Sequence, residues 1–157
     1  LDLIKNARII NDSMIDDTIE LIKSGVKKTD KNILNSKILV LGFAFKGTPF
    51  TDDIRFSPTI PIIKFLKDNN AEVFGYDPVV SKEDFSSLNI KQIKDIYQEH
   101  DFDCVIIMNN NPNFKNIDFK KLFGNKNNSL VIDGWYMYDK DSLEKIGIRY
   151  FALGSPC

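Results

Sequence analysis

Four charged side chains follow an apolar run near residue 40, and the two cations among them could bind an anion. Lys46 comes directly after the run at residues 37–45, and Asp52, Asp53 and Arg55 follow within ten residues. Lysine and arginine hold phosphate oxygens by charge-assisted hydrogen bonds. Alternatively, the two cations are solvated charges that only neutralise the two aspartates. The loop alone leaves both interpretations open.

The segments around this loop predict a strand–helix–strand unit. Residues 37–45 predict a strand buried on both faces, because the run is continuously apolar and too short for an isolated helix. Ser57 and Pro58 predict a helix start, with the serine as N-cap and the proline at the first helical position. Residues 72–76 predict a second, parallel strand. The charged loop then lies at the carboxyl end of the first strand, where open α/β sheets bind ligands.

Residues 42–47, GFAFKG, come close to the dinucleotide-binding pattern G-x-G-x-x-G, with alanine at the middle glycine. In that pattern the helix begins directly after the glycines, so that its first amides hold the pyrophosphate. Here the predicted helix begins only at Ser57. The sequence therefore offers side-chain cations for an anion in place of a helix start.

Apolar and amphipathic segments alternate along the rest of the chain. A helix is predicted at residues 3–26, with a linker that includes Gly25 and residues 27–32. Further strands are predicted at 89–93, 103–108, 130–133 and 149–153, and further helices at 81–87, 94–100, 117–123 and 141–146. This alternation predicts an α/β fold: a three-layer, Rossmann-like, mostly parallel, doubly wound sheet of about six strands in the order 3-2-1-4-5-6, preceded by an N-terminal helix.

Aromatic side chains at the ends of these strands could offer a surface to a base or a sugar ring. Phe43 and Phe45 lie at the end of the first predicted strand and point to opposite faces, so each fits the core or the site equally well. Trp135 and Tyr136 follow the strand at 130–133. The predicted site is built from the loops 46–55, 109–113 and 133–138, with Asp77 near its edge.

Several of these segments together resemble the carboxy-terminal UDP-binding domain of the UDP-glucose/GDP-mannose dehydrogenase family. They are VLGFAFK at 40–46, TDDIRFSP at 51–58 and VFGYDP at 73–78. Three others fit the family in order: 7–14 is similar to the end of its long central helix, 103–108 to a strand before a polar loop, and 131–139 to a late strand and loop. The resemblance covers nearly the whole chain.

Enzymes of that family oxidise the C6 alcohol of a nucleotide sugar to a carboxylate in two NAD-dependent steps. The resemblance implies that residues 1–32 are the end of a connector helix and its linker, and that residues 33–157 are the nucleotide-sugar domain. NAD would be held mainly by a separate amino-terminal domain, which also carries the catalytic cysteine and lysine. The resemblance further implies a homodimer formed through the connector helix, and an isolated chain without dehydrogenase activity.

The resemblance also implies roles for individual residues. Phe45, Lys46 and Trp135 would bind the substrate, and Arg55 would reach the NAD held by the other domain. Trp135 departs from the family pattern, in which many members carry a substrate-holding arginine at this position. A UDP-hexose and a UDP-N-acetylhexosamine both stay open as substrates. From the residues alone, a second class stays open too: a stand-alone regulatory module that binds a nucleotide, with Asp77 on a ribose.

Composition limits the remaining classes. The 157 residues, 43% of them hydrophobic, suffice for one domain with a substantial core. A net charge of −1 gives no reason to expect nucleic acid or an anionic membrane as partner. Two cysteines and one histidine form neither a disulfide framework nor a zinc site, and Cys104 is expected to be a buried thiol while Cys157 is terminal. With no membrane-spanning run and no visible signal segment, we expect a cytoplasmic protein.

Overall fold

The computed structural model describes residues 2–154; Leu1 and residues 155–157, Cys157 among them, lie outside the described residues. The helices are α1 (Asp2–Lys28), α2 (Thr59–Asp68), α3 (Lys82–Ser87), α4 (Phe119–Phe123) and α5 (Lys140–Glu144), with a short 3-10 turn at Pro112–Phe114. The strands are β1 (Lys37–Leu41), β2 (Glu72–Tyr76), β3 (Lys91–Gln92), β4 (Cys104–Ile107), β5 (Ser129–Asp133) and β6 (Ile148–Ala152).

These strands form one parallel sheet in the order β3-β2-β1-β4-β5-β6, which confirms the predicted doubly wound topology. The register brings the strand ends level. Leu41 is paired with Tyr76 on one side and with Ile107 on the other, and Ile107 is paired with Asp133. The loops that follow β1, β2, β4 and β5 therefore meet at one edge of the sheet.

The central strands are buried on both faces, as their continuous apolar sequence predicts. Ile38, Val40, Ile106 and Ile132 pack in one cluster with buried residues of α1 and α2. The alternate residues of the same strands face a second cluster with α4 and α5; its strand members include Leu39, Leu41, Val105, Ile107 and Val131. The sheet is thus the middle of three layers.

The structure corrects the predicted end of the first strand. β1 ends at Leu41 and not at residue 45, because Gly42 has a φ of 92° and turns the chain out of the strand. The following helix begins at Thr59. Pro58 already has helical dihedral angles, and the Ser57 hydroxyl accepts a hydrogen bond from the Thr59 amide at 3.3 Å. The predicted helix start is therefore shifted by one residue: Pro58 and not Ser57 is the N-cap, and no side-chain hydrogen bond caps the helix from that position.

The predicted helix at residues 94–100 is wrong, because this segment consists of turns and bends. The Asp95 carboxylate accepts the Tyr97 amide at 2.8 Å, and the Gln98 side-chain oxygen accepts the Lys94 amide at 3.2 Å. Such local side-chain hydrogen bonds compete with those of a helix.

The prediction of Gly25 as part of a linker is also wrong. The helix α1 runs through it to Lys28, and Gly25 is buried against the sheet. A Cβ at this position would lie 3.0 Å from the Ile132 side chain. The glycine therefore allows close packing of the helix on β5.

The two halves of α1 differ in burial. Thr18, Ile22 and Val26 in its second half are buried, whereas Leu3 and Ile9 in its first half are exposed. Other exposed apolar residues of the first half are Ile4, Ile10 and Met14. Only the second half of the predicted apolar stripe is covered by this domain.

At the amino ends of the strands, the Asp103 carboxylate ties three segments together. It accepts hydrogen bonds from the Lys37 amide at 2.9 Å, from Lys31 Nζ at 3.0 Å and from Lys126 Nζ at 2.8 Å. Partial burial of Asp103 opposes its ionisation, but the bonds from Lys126, Lys37 and Lys31 outweigh that effect, so its pKa lies below the ordinary value.

We predict that Asp103→Asn lowers the free energy of unfolding by about 1–2 kcal/mol at neutral pH, because charge-assisted bonds are lost. A carboxylate with a lowered pKa in the folded state stabilises fully above its unfolded pKa of about 3.9 and loses that effect as the pH falls further. The difference between variant and parent should therefore shrink in acid. Urea unfolding at pH 7 and pH 3 measures it. Asp68→Asn, which removes an exposed pair with Lys64, is the control; equal losses in both variants would contradict the prediction.

Candidate functional site

The loop after β1 is held by a buried carboxylate from the end of β2. One oxygen of Asp77 accepts the amides of Phe43 at 2.7 Å and Ala44 at 3.0 Å, and the other accepts those of Val79 and Val80 at 2.9 and 3.3 Å. Asp77 is 6% exposed. Its carboxylate thus occupies the amides that a phosphate would use in a glycine-rich loop. Asp77 therefore has its hydrogen-bonding capacity engaged inside the protein.

The two glycines of this loop serve close packing against the loop after β4. Gly42 adopts a φ of 92°, and a Cβ there would lie 2.6 Å from Cγ of Asn109. A Cβ on Gly47 would lie 2.1 Å from the backbone nitrogen of Asn111. The near match to the dinucleotide pattern therefore reflects the close approach of two loops. Neither Gly42 nor Gly47 has room for a side chain larger than hydrogen.

Amide side chains after β4 join these two loops. The Asn109 side chain donates to the carbonyl of Ala44 at 3.2 Å, and its oxygen accepts the Asn111 amide at 3.2 Å. The Asn110 side-chain oxygen accepts the Gly47 amide at 3.0 Å. Asn109 and Asn111 are fully buried, whereas Asn110 is partly exposed. Of these three amide side chains, Asn110 is consequently the one that can meet a ligand.

The loop after β5 is organised by a second buried carboxylate, Asp133. It accepts the amides of Trp135 at 2.9 Å and Met137 at 2.6 Å, and the hydroxyl of Tyr150 at 2.9 Å. The Trp135 indole nitrogen donates to the carbonyl of Met108 at 3.0 Å. These bonds fix the indole ring at the end of β4 while leaving it 47% exposed.

A cleft of about 1000 Å³ lies between these strand-end loops and the helix α1. Phe45, Lys46 and Thr48 line it from the loop after β1, and Asn110 and Trp135 line it from the neighbouring loops. The helix contributes the opposite wall with Ala7, Arg8, Asn11, Met14, Ile15 and Thr18. A cation, amides, hydroxyls and aromatic faces therefore meet in one space, which suits an anionic ligand with a ring system.

The structure brings three of the predicted site residues together and separates two others. Phe45, Lys46 and Trp135 all line the cleft. Phe43 is fully buried and packs against Phe85 with ring centroids 4.5 Å apart, so it belongs to the core. Asp77, predicted near the edge of the crevice, is buried beneath the loop.

Arg55, the predicted cofactor contact, is 81% exposed at its side chain and pairs with Asp53, with an Nη2–Oδ2 distance of 2.7 Å. Its hydrogen bonds lower the pKa of Asp53 to about 2. This pairing agrees with the alternative in which Arg55 neutralises a neighbouring aspartate. Its role toward the cofactor stays a prediction.

Sequence reasoning missed the contribution of α1 to the cleft. Arg8 and Asn11 were visible only as members of a segment similar to a connector helix. Their spacing of three, continued by Ile15 and Thr18 at helical intervals, places all four on one helix face. That spacing was the available signal.

Several kinds of chemistry lack the necessary groups in residues 2–154. No cluster of three His, Cys, Asp or Glu side chains there could hold a metal ion. Cys104 is buried, and its burial raises the pKa of the thiol, which suppresses the nucleophilic thiolate. Burial also raises the pKa of Tyr138 to about 12. Within the same residues, none of the helices has the length and apolar character needed to cross a membrane.

Residues 39–140 match the model of the UDP binding domain of the UDP-glucose/GDP-mannose dehydrogenase family. The UDP-glucose 6-dehydrogenase of Rhizobium meliloti is 36% identical over 128 residues, covering 80% of this chain and 29% of that protein. UDP-glucose 6-dehydrogenase 2 of Arabidopsis thaliana is 31% identical over 150 residues, covering 80% of this chain and 31% of that protein. The chain thus spans less than a third of the length of these relatives.

Solved structures agree on the fold. The UDP-D-ManNAc dehydrogenase from Pyrococcus horikoshii matches 98% of this chain and 34% of its own chain, with a TM-score of 0.79 and 25% identity. The NDP-N-acetyl-D-galactosaminuronic acid dehydrogenase from Methanosarcina mazei Go1 matches 94% of this chain and 30% of its own, with a TM-score of 0.83 and 24% identity. The fold described above is therefore that of a domain within longer chains.

We predict that Asp77→Ala lowers the free energy of unfolding by at least about 3 kcal/mol, because four backbone amides lose their acceptor and buried unpaired donors cost roughly 1–3 kcal/mol each. Chemical denaturation measures the loss. Asp52→Ala, which removes an exposed carboxylate from the same loop, should change stability little. A stable Asp77→Ala variant that had lost nucleotide binding would instead support Asp77 as a ribose ligand, as a regulatory module requires.

Proposed function

Since this chain belongs to the UDP-glucose/GDP-mannose dehydrogenase family through its UDP binding domain, we propose that it is the substrate-binding part of an NAD-dependent nucleotide-sugar 6-dehydrogenase. The enzyme would oxidise a UDP-hexose or a UDP-N-acetylhexosamine to the uronic acid. Residues 33–157 would form the nucleotide-sugar domain, and residues 1–32 the end of the connector helix with its linker. The observation that carries the proposal is the cleft in which Phe45, Lys46 and Trp135 converge.

Each lining group has a task in this proposal. Lys46 follows the fixed turn at the end of β1 and would pair with the diphosphate. The exposed faces of Phe45 and Trp135 would pack against the planar base or against the C–H face of the sugar ring. Asn110 and Thr48 can exchange hydrogen bonds with hydroxyl groups of the ligand.

The loop after β1 offers a dinucleotide few backbone donors. The loop amides that would hold a pyrophosphate already donate to Asp77. We therefore propose that NAD, which supplies the hydride acceptor, binds mainly to a part of the enzyme outside this chain. Arg55, exposed on the loop beside α2, would contact the NAD held by that part.

Two further features fit the proposal. The exposed apolar residues in the first half of α1, Leu3 and Ile9 among them, suit an interface with a second copy of the connector helix in a homodimer. The buried, free thiol of Cys104 and the scarcity of cysteine suit a reducing compartment, for which we propose the cytoplasm.

A ligand screen by thermal shift and calorimetry tests the proposal. A ligand that binds only the folded state raises its stability with the logarithm of its concentration over its Kd. UDP, UDP-glucose and UDP-N-acetylhexosamines should stabilise the chain weakly, because part of the site would come from another domain, and NAD should have no effect. The chain alone should produce no NADH from any of these sugars. Stabilisation by NAD and not by uridine nucleotides would favour the regulatory module.

We predict that substitutions of the two loop cations separate in the complete enzyme that contains this chain. Lys46→Ala should lower kcat/KM for the nucleotide sugar, because a charge-assisted contact is lost. The drop should correspond to a loss of roughly 2–4 kcal/mol of transition-state stabilisation. Arg55→Ala should mainly raise the KM for NAD. Steady-state kinetics with each substrate varied in turn measure both effects.

Neither variant should unfold at a much lower temperature, since both side chains lie on a solvated loop. If both instead melt many degrees lower, with unchanged kinetics per folded molecule, the two cations are structural partners of the neighbouring aspartates. That outcome would contradict the proposed roles of Lys46 and Arg55.

A further inference from the structure

One face of α1 changes character along its length. Thr18, Ile22 and Val26 lie on this face at helical intervals and are 3%, 0% and 6% exposed, because they pack on the sheet and on α2. Continued toward the amino end, the same face carries Arg8 and Asn11, which line the cleft. The face thus changes from apolar to polar where it leaves the sheet and enters the lining of the cleft.

The charged side chains described in the lining of the cleft are all positive. Among the side chains that the structure describes, Lys46 and Arg8 are the ionised groups lining it, and no carboxylate lines it. Lys46 comes from the strand-end loop, and Arg8 comes from the helix that forms the other wall. Two cations from two walls of the cleft, with no carboxylate among the described side chains that line it, create a positive potential that favours an anion.

We propose that Arg8 is a second anion-binding side chain of this site, which holds the diphosphate of the substrate from the α1 side, opposite Lys46. This inference rests on the proposed function and adds to it a residue of the connector helix. A guanidinium presents a planar pair of N–H donors to two phosphate oxygens, whereas a lysine acts as a single point charge. Arg8 would therefore fix the orientation of the diphosphate, and Lys46 would mainly neutralise its charge.

The position of Arg8 has a mechanical consequence. The first half of α1 is exposed, whereas the second half is anchored on the sheet. A diphosphate held by both Arg8 and Lys46 would tie the free half of the helix to the strand-end loops. Substrate binding would thus fix the helix that we propose to form the dimer contact.

The test is a titration of the chain with UDP, followed by NMR at constant ionic strength, for the parent, Arg8→Gln, Arg8→Lys and Lys5→Gln. Lys5 lies three residues away on the same helix, carries the same charge and does not line the cleft. Uridine, which lacks phosphate, is titrated in parallel. Because the replaced residues are exposed on a helix, the variants should fold, and circular dichroism checks this.

We expect Arg8→Gln to weaken UDP binding by about tenfold to a hundredfold, in keeping with loss of a charge-assisted contact. Lys5→Gln should leave the Kd within about twofold, Arg8→Lys should restore part of the affinity, and uridine should bind all variants alike. Unchanged UDP binding by Arg8→Gln would overturn the inference while leaving the proposed function intact. Equal weakening by Lys5→Gln, or an equal loss for uridine, would also overturn it. A parent chain that does not bind UDP at all would overturn the proposed function together with it.

Discussion

The geometry of the candidate site depends on one buried side chain, the carboxylate of Asp77. A parallel sheet directs the amides of its first loop toward the strand ends, where in many nucleotide-binding folds a phosphate accepts them. Here Asp77 accepts them from below, at 2.7 and 3.0 Å from the Phe43 and Ala44 nitrogens. The amides of Phe43 and Ala44 are thereby engaged, and the backbone has no donors left at those positions for a phosphate. In the proposed function, an anion is therefore bound by side chains that the loop presents.

Binding of the anion by side chains in place of loop amides would account for the residues that line the cleft. With the turn closed by Asp77 and locked against Asn109 and Asn110, Phe45 and Lys46 emerge at a fixed place beside Trp135. Their surroundings are supplied by loops after three neighbouring strands and by α1, so the cleft exists only when sheet register and helix docking are both correct. A ligand bound there would contact both the strand-end loops and α1.

Much of this could be predicted from the sequence, since the apolar runs and their order fix a parallel sheet with one sensible topology. The place of Phe45, Lys46 and Trp135 in the cleft could be predicted because all three lie in loops at the carboxyl ends of strands. The buried roles of Phe43 and Asp77 could not be predicted, because the φ of Gly42 decides where the strand ends and which way its successors point. The helix expected at residues 94–100 failed through local side-chain hydrogen bonds, whose competition with a helix is invisible in periodicity.

We propose that side chains around the loop after β1, and not its amides, bind the nucleotide. Titration of the nitrogen-15-labelled chain with UDP, followed through the chemical shifts, distinguishes the two modes of binding. We expect the largest changes at residues 45–48, at Asn110 and at the indole N–H of Trp135, with the amides of Phe43 and Ala44 little affected. Largest changes at Phe43 and Ala44, with residues 46 and 135 unmoved, would mean that the anion displaces the Asp77 carboxylate, and would rule out binding by the side chains.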